Sequence, residues 1–431
     1  MKKINIGLIG FGNIGSGVVK ILREKRTLLS AKIGLDINIR KICDQDITSK
    51  RNVSVNKMLL TRNPKDIIED PQIDIMVELI GGIHPARELI LDSIKRGKNI
   101  VTANKALLAT YGEELFLEAG AKGKSIYFEA SVGAGIPIIK SLREGLVSNN
   151  FNSILGILNG TSNYILSSMS TKGITFSEAL KEAQRKGFAE KDPTLDVQGI
   201  DSAHKLALLT YLSFGKMVNM RDIFIEGISR ISLADINYAK ELGFKIKLLA
   251  IAQREKEDLE VRVHPTLIPK DHLLSSIDGV FNAIYVEADL AGDLLFYGPG
   301  AGQLSAASAV VSDIVDLTKD IKAGLFRPMM NAVQDKSIKR LRKIDESLSR
   351  YYIRFTALDK PGVLAKISGV LAKFGISISS VTQKEKNKSK LVPIIMLIHE
   401  AKEKDLRRAL NIIDRIESIK EKSVAIRMEE I

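Results

Sequence analysis

Ile4-Asn5-Ile6-Gly7-Leu8-Ile9-Gly10-Phe11-Gly12-Asn13-Ile14-Gly15 decides the fold of this chain. Its first six residues form a short apolar run, and Val18, Val19, Ile21 and Leu22 then recur with helical spacing. Strand, glycine turn and helix together place a dinucleotide pyrophosphate on a helix N-terminus, where backbone N–H groups and the helix dipole favour an anion. Gly10 permits the tight turn, Gly12 lets the backbone approach the phosphates, and Gly15 lets the helix lie close to the strand. Phe11, Asn13 and Ile14 complete a turn expected to line the cofactor. A glycine fingerprint alone is weak evidence, but a second apolar strand over 37–43 follows at the expected distance. At its end, Asp44 suits the ribose hydroxyls of NAD, whereas Arg40 and Lys41 suit the 2′-phosphate of NADP. The reading favours NADP with use of NAD as well.

Apolar runs at 4–9, 37–42, 73–79, 99–101 and 125–128 alternate with helical patterns around 15–26, 86–96 and 112–121. That alternation predicts an α/β fold with a Rossmann-type, doubly wound parallel sheet over residues 1–135. Residues 136–300 mix strands at 154–158, 222–231, 259–265 and 283–288 with helices at 175–186, 200–213 and 234–243, and read as a mixed α/β substrate and dimerisation domain. A helical period over 301–317 is expected to return to the first domain. The charged stretch 321–350, with Lys336, Lys339, Arg340, Arg342 and Lys343, reads as a linker. The last block, 351–431, runs strand, helix, strand, strand, helix, strand, the ferredoxin-like order.

Composition narrows the classes. A chain of 431 residues holds two or three domains, and its 45% hydrophobic and 27% charged content is that of a soluble globular protein. The net charge of +13 raises a nucleic-acid partner, but Trp is absent and aromatics are only 5%, so no stacking platform is evident. Anionic cofactors and solubility account for the charge. One cysteine, Cys43, excludes internal disulfides and fits a reducing, cytoplasmic compartment; it reads as a small buried hydrophobe, not a nucleophile. No apolar run is long enough to span a bilayer.

A second constellation lies at Gly187-Phe188-Ala189-Glu190-Lys191-Asp192-Pro193-Thr194-Leu195-Asp196 and Gly199-Ile200-Asp201-Ser202-Ala203-His204-Lys205. Asp201 and Lys205 are four apart and share one face of a helix. An isolated pair of this kind reads as a surface salt bridge. Three carboxylates (Glu190, Asp196, Asp201) beside a lysine and several glycines read instead as a polar small-molecule site, whose ligand the pattern does not name. A lysine held against carboxylates in a partly dry cleft can exchange a proton with a hydroxyl. Asn159-Gly160-Thr161-Ser162, between a strand and a helix, reads equally as a substrate wall or as a simple helix cap.

Asp359-Lys360-Pro361-Gly362-Val363-Leu364 and Gly375-Ile376-Ser377-Ile378 resemble an ACT regulatory domain, which in that family binds amino acids near this turn. A purely structural pairing module is the alternative. Further segments extend the resemblance to the whole chain: Val77-Glu78-Leu79-Ile80-Gly81-Gly82, Val101-Thr102-Ala103-Asn104-Lys105, Glu129 to Pro137, Leu158 to Tyr164, Gly187 to Lys205, and Tyr297-Gly298-Pro299-Gly300-Ala301-Gly302. The chain resembles the longer bacterial homoserine dehydrogenases with a C-terminal ACT domain. The resemblance implies reversible oxidation of L-homoserine to L-aspartate 4-semialdehyde, on the way to threonine and methionine. It implies Lys205 as general acid and base, and Lys105 as a second catalytic lysine near nicotinamide and substrate. Glu190 and Asp201 then hold substrate polar groups, with Asp196, Gly160 and Thr161 shaping the pocket, and Gly187 and Gly302 lie against the cofactor. Glu129 with the carbonyls of Val132, Ala134 and Ile136 resembles that family's monovalent-cation site, sodium being one candidate. L-threonine is the expected effector, although Ser377 stands where many ACT domains carry asparagine, and a homodimer or homotetramer is the expected assembly. Two other readings remain: another amino-acid or semialdehyde dehydrogenase, and a non-enzymatic amino-acid sensor.

Overall fold

The computed structural model describes residues 3–328, 337–383 and 391–429. It divides into two compact units: 1–154, 204–221 and 282–336, and 155–203, 222–281 and 337–431. Among the described residues no helix is long and apolar enough to cross a membrane.

The first unit contains β1 (Lys3–Ile9), β2 (Asp36–Cys43), β3 (Leu60–Thr61), β4 (Ile75–Glu78), β5 (Asn99–Thr102) and β6 (Ile126–Tyr127). They form one sheet in the order β3-β2-β1-β4-β5-β6, whose neighbouring strands pair in parallel. The order reverses at β1, so the crevice beyond its C-terminal end is where a doubly wound sheet takes its ligand. Ile4, Ile6 and Leu8 of β1, Val18, Val19 and Leu22 of the helix Asn13–Glu24, and Val310, Val311 and Ile314 share one core. The last three lie on the helix Gln303–Ala323, which is longer than the helical period over 301–317. Close packing there depends on Gly17, whose added Cβ would lie 3.0 Å from the Ala307 Cβ.

In the second unit, strands Phe244–Glu255 and Asp258–Pro269 pair along their full length as a hairpin. Phe244–Glu255 went unread in the sequence because its middle, Leu248 to Ala252, is apolar at every position and lacks the alternation of a half-buried strand. The strand expected over 222–231 shrinks to Phe224–Ile225. The C-terminal block has the ferredoxin-like order: Leu348–Leu358, Val363–Lys373, Ile378–Gln383, Leu391–Lys402, Glu403–Ile413 and Val424–Met428. Its two helices cover one sheet face, with Ile353, Phe355, Ile367, Leu371, Met396 and Leu406 in a common core. Val424–Met428 also runs parallel to the hairpin, Thr266 opposite Arg427 and Leu267 opposite Met428, so one sheet runs through the whole unit. Of the stretch read as a linker, 329–336 (with Lys336) lies outside the described residues. Lys339, Arg340 and Arg342 beyond it are ion-paired to Glu257, Asp258 and Glu260.

Candidate active site

The glycine turn in the first unit is built as its sequence requires. Gly10 has φ +103°, and a Cβ on it would lie 2.6 Å from the Leu79 carbonyl carbon. A Cβ on Gly15 would sit 2.0 Å from the Gly10 oxygen. Around a Cβ on Gly12 nothing lies within 4 Å, so this face of the turn is open to a ligand. The Phe11 N–H donates to Asp44 Oδ2 at 2.6 Å, tying the turn to the end of β2. Gly302 starts the neighbouring helix, whose Gln303 Nε2 donates to the Asn13 carbonyl at 2.9 Å and to Ser16 Oγ at 3.0 Å.

Arg40, expected at a 2′-phosphate, is engaged elsewhere: its Nε donates to Asp70 Oδ2 at 2.5 Å. The cation at the turn is Arg51. Its Nε donates to the Phe11 carbonyl at 3.1 Å, its guanidinium lies 5.4 Å from the Phe11 ring centroid, and it approaches Asp44 to 3.8 Å. No local pattern marks Arg51, because it lies in irregular chain eight residues beyond β2. Cys43 is buried beside this site, and burial pushes its thiol up to about 11, as suits a packing residue.

Lys105 opens the helix Lys105–Ala121, just beyond the end of β5 at Thr102. Asn104 caps that helix, accepting from the Leu107 N–H at 3.2 Å and donating to the Gly82 carbonyl at 2.6 Å. Behind it, fully buried Glu78 accepts from the N–H groups of Ile80 and Gly81 and from Thr102 Oγ1 at 2.6 Å. Burial raises the Glu78 pKa, and these donors oppose the rise. One carboxylate thus pins both the Gly81-Gly82 turn and the start of the Lys105 helix.

Glu129 is buried, and burial pushes its pKa up to about 7. Its two oxygens accept the Ile139 and Lys140 N–H groups at 2.8 Å each, while its own N–H donates to Asp313. Val132 and Ile136 are buried in the same segment, and Ala134 takes φ +52°, a conformation rare for a residue with a Cβ. A buried carboxylate beside a turn of this kind suits hard oxygen coordination of a cation. Among the described residues no group of three or more His, Cys, Asp or Glu could hold a metal ion.

In the second unit the acidic constellation is gathered by Asn159. Its Nδ2 donates to Asp196 Oδ1 at 2.7 Å and to Asp201 Oδ2 at 3.0 Å, while its Oδ1 accepts the Ser162 N–H at 2.8 Å. Asn159 is therefore both the helix cap, one of the two roles its sequence suggests, and the clamp on two carboxylates. Gly160 starts the helix Gly160–Lys172, and a Cβ there would lie 2.8 Å from the Val280 oxygen. Thr161 Oγ1 donates to the Phe188 carbonyl at 2.6 Å, holding the segment after Gly187, which takes φ +73°. Glu190 stays exposed, with its backbone carbonyl accepting from Gln184. Asp201 is only 7% exposed at the start of the helix Ile200–Phe214, and Lys205, one turn on in the part of that helix that belongs to the first unit, is 8% exposed.

A doubly wound sheet with an open glycine turn at its switch point, and a separate acid–amide cluster preceding a buried lysine, defines an NAD(P)-dependent oxidoreductase. Comparison with known proteins makes the class specific. Residues 10–129 match the homoserine dehydrogenase NAD-binding domain, 137–315 the homoserine dehydrogenase domain and 351–418 the ACT domain. The chain is 42% identical to the homoserine dehydrogenase of Neisseria gonorrhoeae, each covered completely, and 39% identical to that of Bacillus subtilis, covering 100% of this chain and 99% of the other. The crystal structure of a homoserine dehydrogenase from Thiobacillus denitrificans superposes with a TM-score of 0.91 at 43% identity, covering 100% of this chain and 99% of that one. A hyperthermophilic archaeal homoserine dehydrogenase in complex with NADPH matches 76% of this chain and 100% of its own, with a TM-score of 0.63 at 28% identity. This chain belongs to the homoserine dehydrogenase family.

Proposed function

We propose that the chain interconverts L-homoserine and L-aspartate 4-semialdehyde, with NADP as the preferred cofactor and NAD as a second. The observation that carries this reading is the clamp of Asp196 and Asp201 by Asn159, one helical turn before Lys205. A nicotinamide cofactor held at the glycine turn would supply reversible hydride transfer at the substrate carbon. The residues here manage the proton and the geometry. Lys205 Nζ gives a proton to the nascent alkoxide in reduction, and in the neutral form takes it from the hydroxyl in oxidation. Asp201 and Glu190 hold the substrate's polar groups, Asp196 maintains the charge around them, and Lys105 serves as the second, relaying lysine. Arg51 at the glycine turn supports the NADP preference, since its guanidinium lies beside Phe11. Glu129, with the carbonyls of Val132, Ala134 and Ile136, holds a monovalent cation that braces the backbone. L-threonine lowers activity through the C-terminal domain.

The test is nicotinamide absorbance with L-homoserine and NADP, then NAD, in sodium and in tetramethylammonium buffers. Homoserine-dependent reduction, faster with NADP, is expected, as is a higher rate in sodium. No reduction despite cofactor binding would favour the sensor reading. Lys205→Ala is expected to cut kcat by roughly 10²–10⁴-fold with cofactor affinity retained. Near-normal turnover would transfer the proton step to Lys105 or water.

A further inference from the structure

We propose that the second unit contains an effector site of its own, in the cavity between the helix Glu403–Ile413, the strand Val424–Met428 and the segment 224–230. We infer that it takes a small molecule bearing both a carboxylate and an ammonium group. The cavity measures about 610 Å³, a volume typical of small-molecule sites. None of its lining residues belongs to the turn 359–363, where the ACT resemblance implies an effector.

The cavity floor is a closed ionic network. Arg427 and Glu403 are each 3% exposed and joined by two bonds of 2.9 and 2.7 Å. The Tyr351 hydroxyl donates to Glu403 at 2.7 Å, and Arg427 Nη1 donates to Glu226 at 2.9 Å. Arg407 Nε donates to Glu403 at 2.8 Å. The Phe224 ring packs against both guanidiniums, 4.6 Å from Arg427 and 5.1 Å from Arg407. These groups satisfy one another, so the floor is stiff and has little charge left to offer.

The rim is different. Arg230 and Lys422 are exposed, and among the described residues neither has a hydrogen-bond or ion-pair partner. Asp414 lines the same cavity, its Oδ1 accepting the Ser423 N–H at 3.0 Å and Oγ at 2.5 Å. Two uncommitted cations suit a carboxylate, and an adjoining anchored carboxylate suits an ammonium. A plain carboxylic acid would satisfy only the first pair.

The cavity wall is linked to the acidic cluster by backbone. Gln198 lines the cavity and donates to Ser229 Oγ at 3.2 Å, and the Ile228 N–H donates to the Val197 carbonyl at 2.9 Å. A Cβ on Gly227 would lie 2.3 Å from the Val197 oxygen and 2.6 Å from the Gln198 Cα, so the two segments interlock. Asp196 is the next residue, clamped by Asn159. A ligand that favours one position of 224–230 therefore biases Asp196, which is regulatory only under the reading that Asp196 and Asp201 serve the substrate.

The experiment uses the full chain and the probes L-threonine, L-methionine and succinate, read by thermal melting and by homoserine kinetics. At least one amino acid is expected to raise the melting temperature and change the KM for homoserine, with succinate inert. Arg230→Ala with Lys422→Ala should weaken that ligand roughly tenfold or more, with uninhibited activity unchanged. Asp359→Ala, at the other turn, should leave binding intact. The proposal is overturned if the double variant binds as the wild type does, if only Asp359→Ala loses binding, if succinate binds equally well, or if no probe shifts the melt. Inactivity toward homoserine would refute the proposed reaction, while the melting shifts would still decide the site.

Discussion

Gly15→Ala and Gly12→Ala separate the two demands placed on the glycine turn. A Cβ at position 15 would lie 2.0 Å from the Gly10 oxygen, about 1.4 Å short of the 3.4 Å at which ordinary contact begins. The obstacle is backbone, and Gly10 is itself held in place, its N–H donating to the Cys43 carbonyl at 2.8 Å. The helix must therefore move away from the strand by about an ångström, and with it the N–H groups that would hold the pyrophosphate. Misplacement on that scale costs about 10²-fold, or about 2.7 kcal/mol. At position 12 a Cβ meets nothing within 4 Å, and φ of −72° lies outside the left-handed region that favours glycine. Gly12→Ala should thus keep its stability within about 0.5 kcal/mol, yet lose cofactor affinity to a similar extent, because the added methyl occupies phosphate space. Fluorescence titration with NADPH, paired with thermal melting, reads both quantities. Tight cofactor binding by Gly12→Ala at an unchanged melting temperature would refute the placement of the pyrophosphate over this turn.

Asn159→Ala removes a cap and the donor to two carboxylates together; a stability loss of about 1 kcal/mol and a kcat/KM loss of about 10²-fold are expected in melting and rate assays. Asn159→Asp keeps the cap acceptor but adds a third carboxylate, so activity should fall further than stability. Arg51→Met should raise the KM for NADP about tenfold and leave NAD nearly unaffected, whereas Arg40→Met should disturb neither cofactor strongly; equal loss for both cofactors would exclude Arg51 from the 2′-phosphate. His264 is fully buried, and burial, aided by Arg427 and Arg262, holds its pKa well below 6.5. Below pH 6.5 the unfolded chain therefore binds a proton that the native chain refuses. Stability from this group is complete above pH 6.5 and falls by about 1.4 kcal/mol per unit below it. Urea unfolding between pH 7.5 and 5.5 should show the decline, flattened in His264→Gln; an equal slope in that variant would assign it to another group.

Local chemistry is what sequence conveys well. The glycines at 10, 12 and 15, the alternation of strands and helices and the ferredoxin-like order could all be read because each depends on neighbours within a few residues. The strand Phe244–Glu255 escaped because a stretch buried on both faces shows no alternation. Partner choice escaped for a different reason. Arg40 and Arg51 are equally cationic, but the path of the chain through 44–70 delivers Arg40 to Asp70 and Arg51 to Phe11. Asn159 reads as a cap, yet it clamps Asp196 and Asp201, 37 and 42 residues further on. By itself, the sequence determined the cofactor fold, the family resemblance and the candidate lysines and acids, because backbone conformation and hydrophobic period are short-range properties. Only the tertiary structure decided which charges meet, since a side chain's partner is set by where distant backbone segments come to rest.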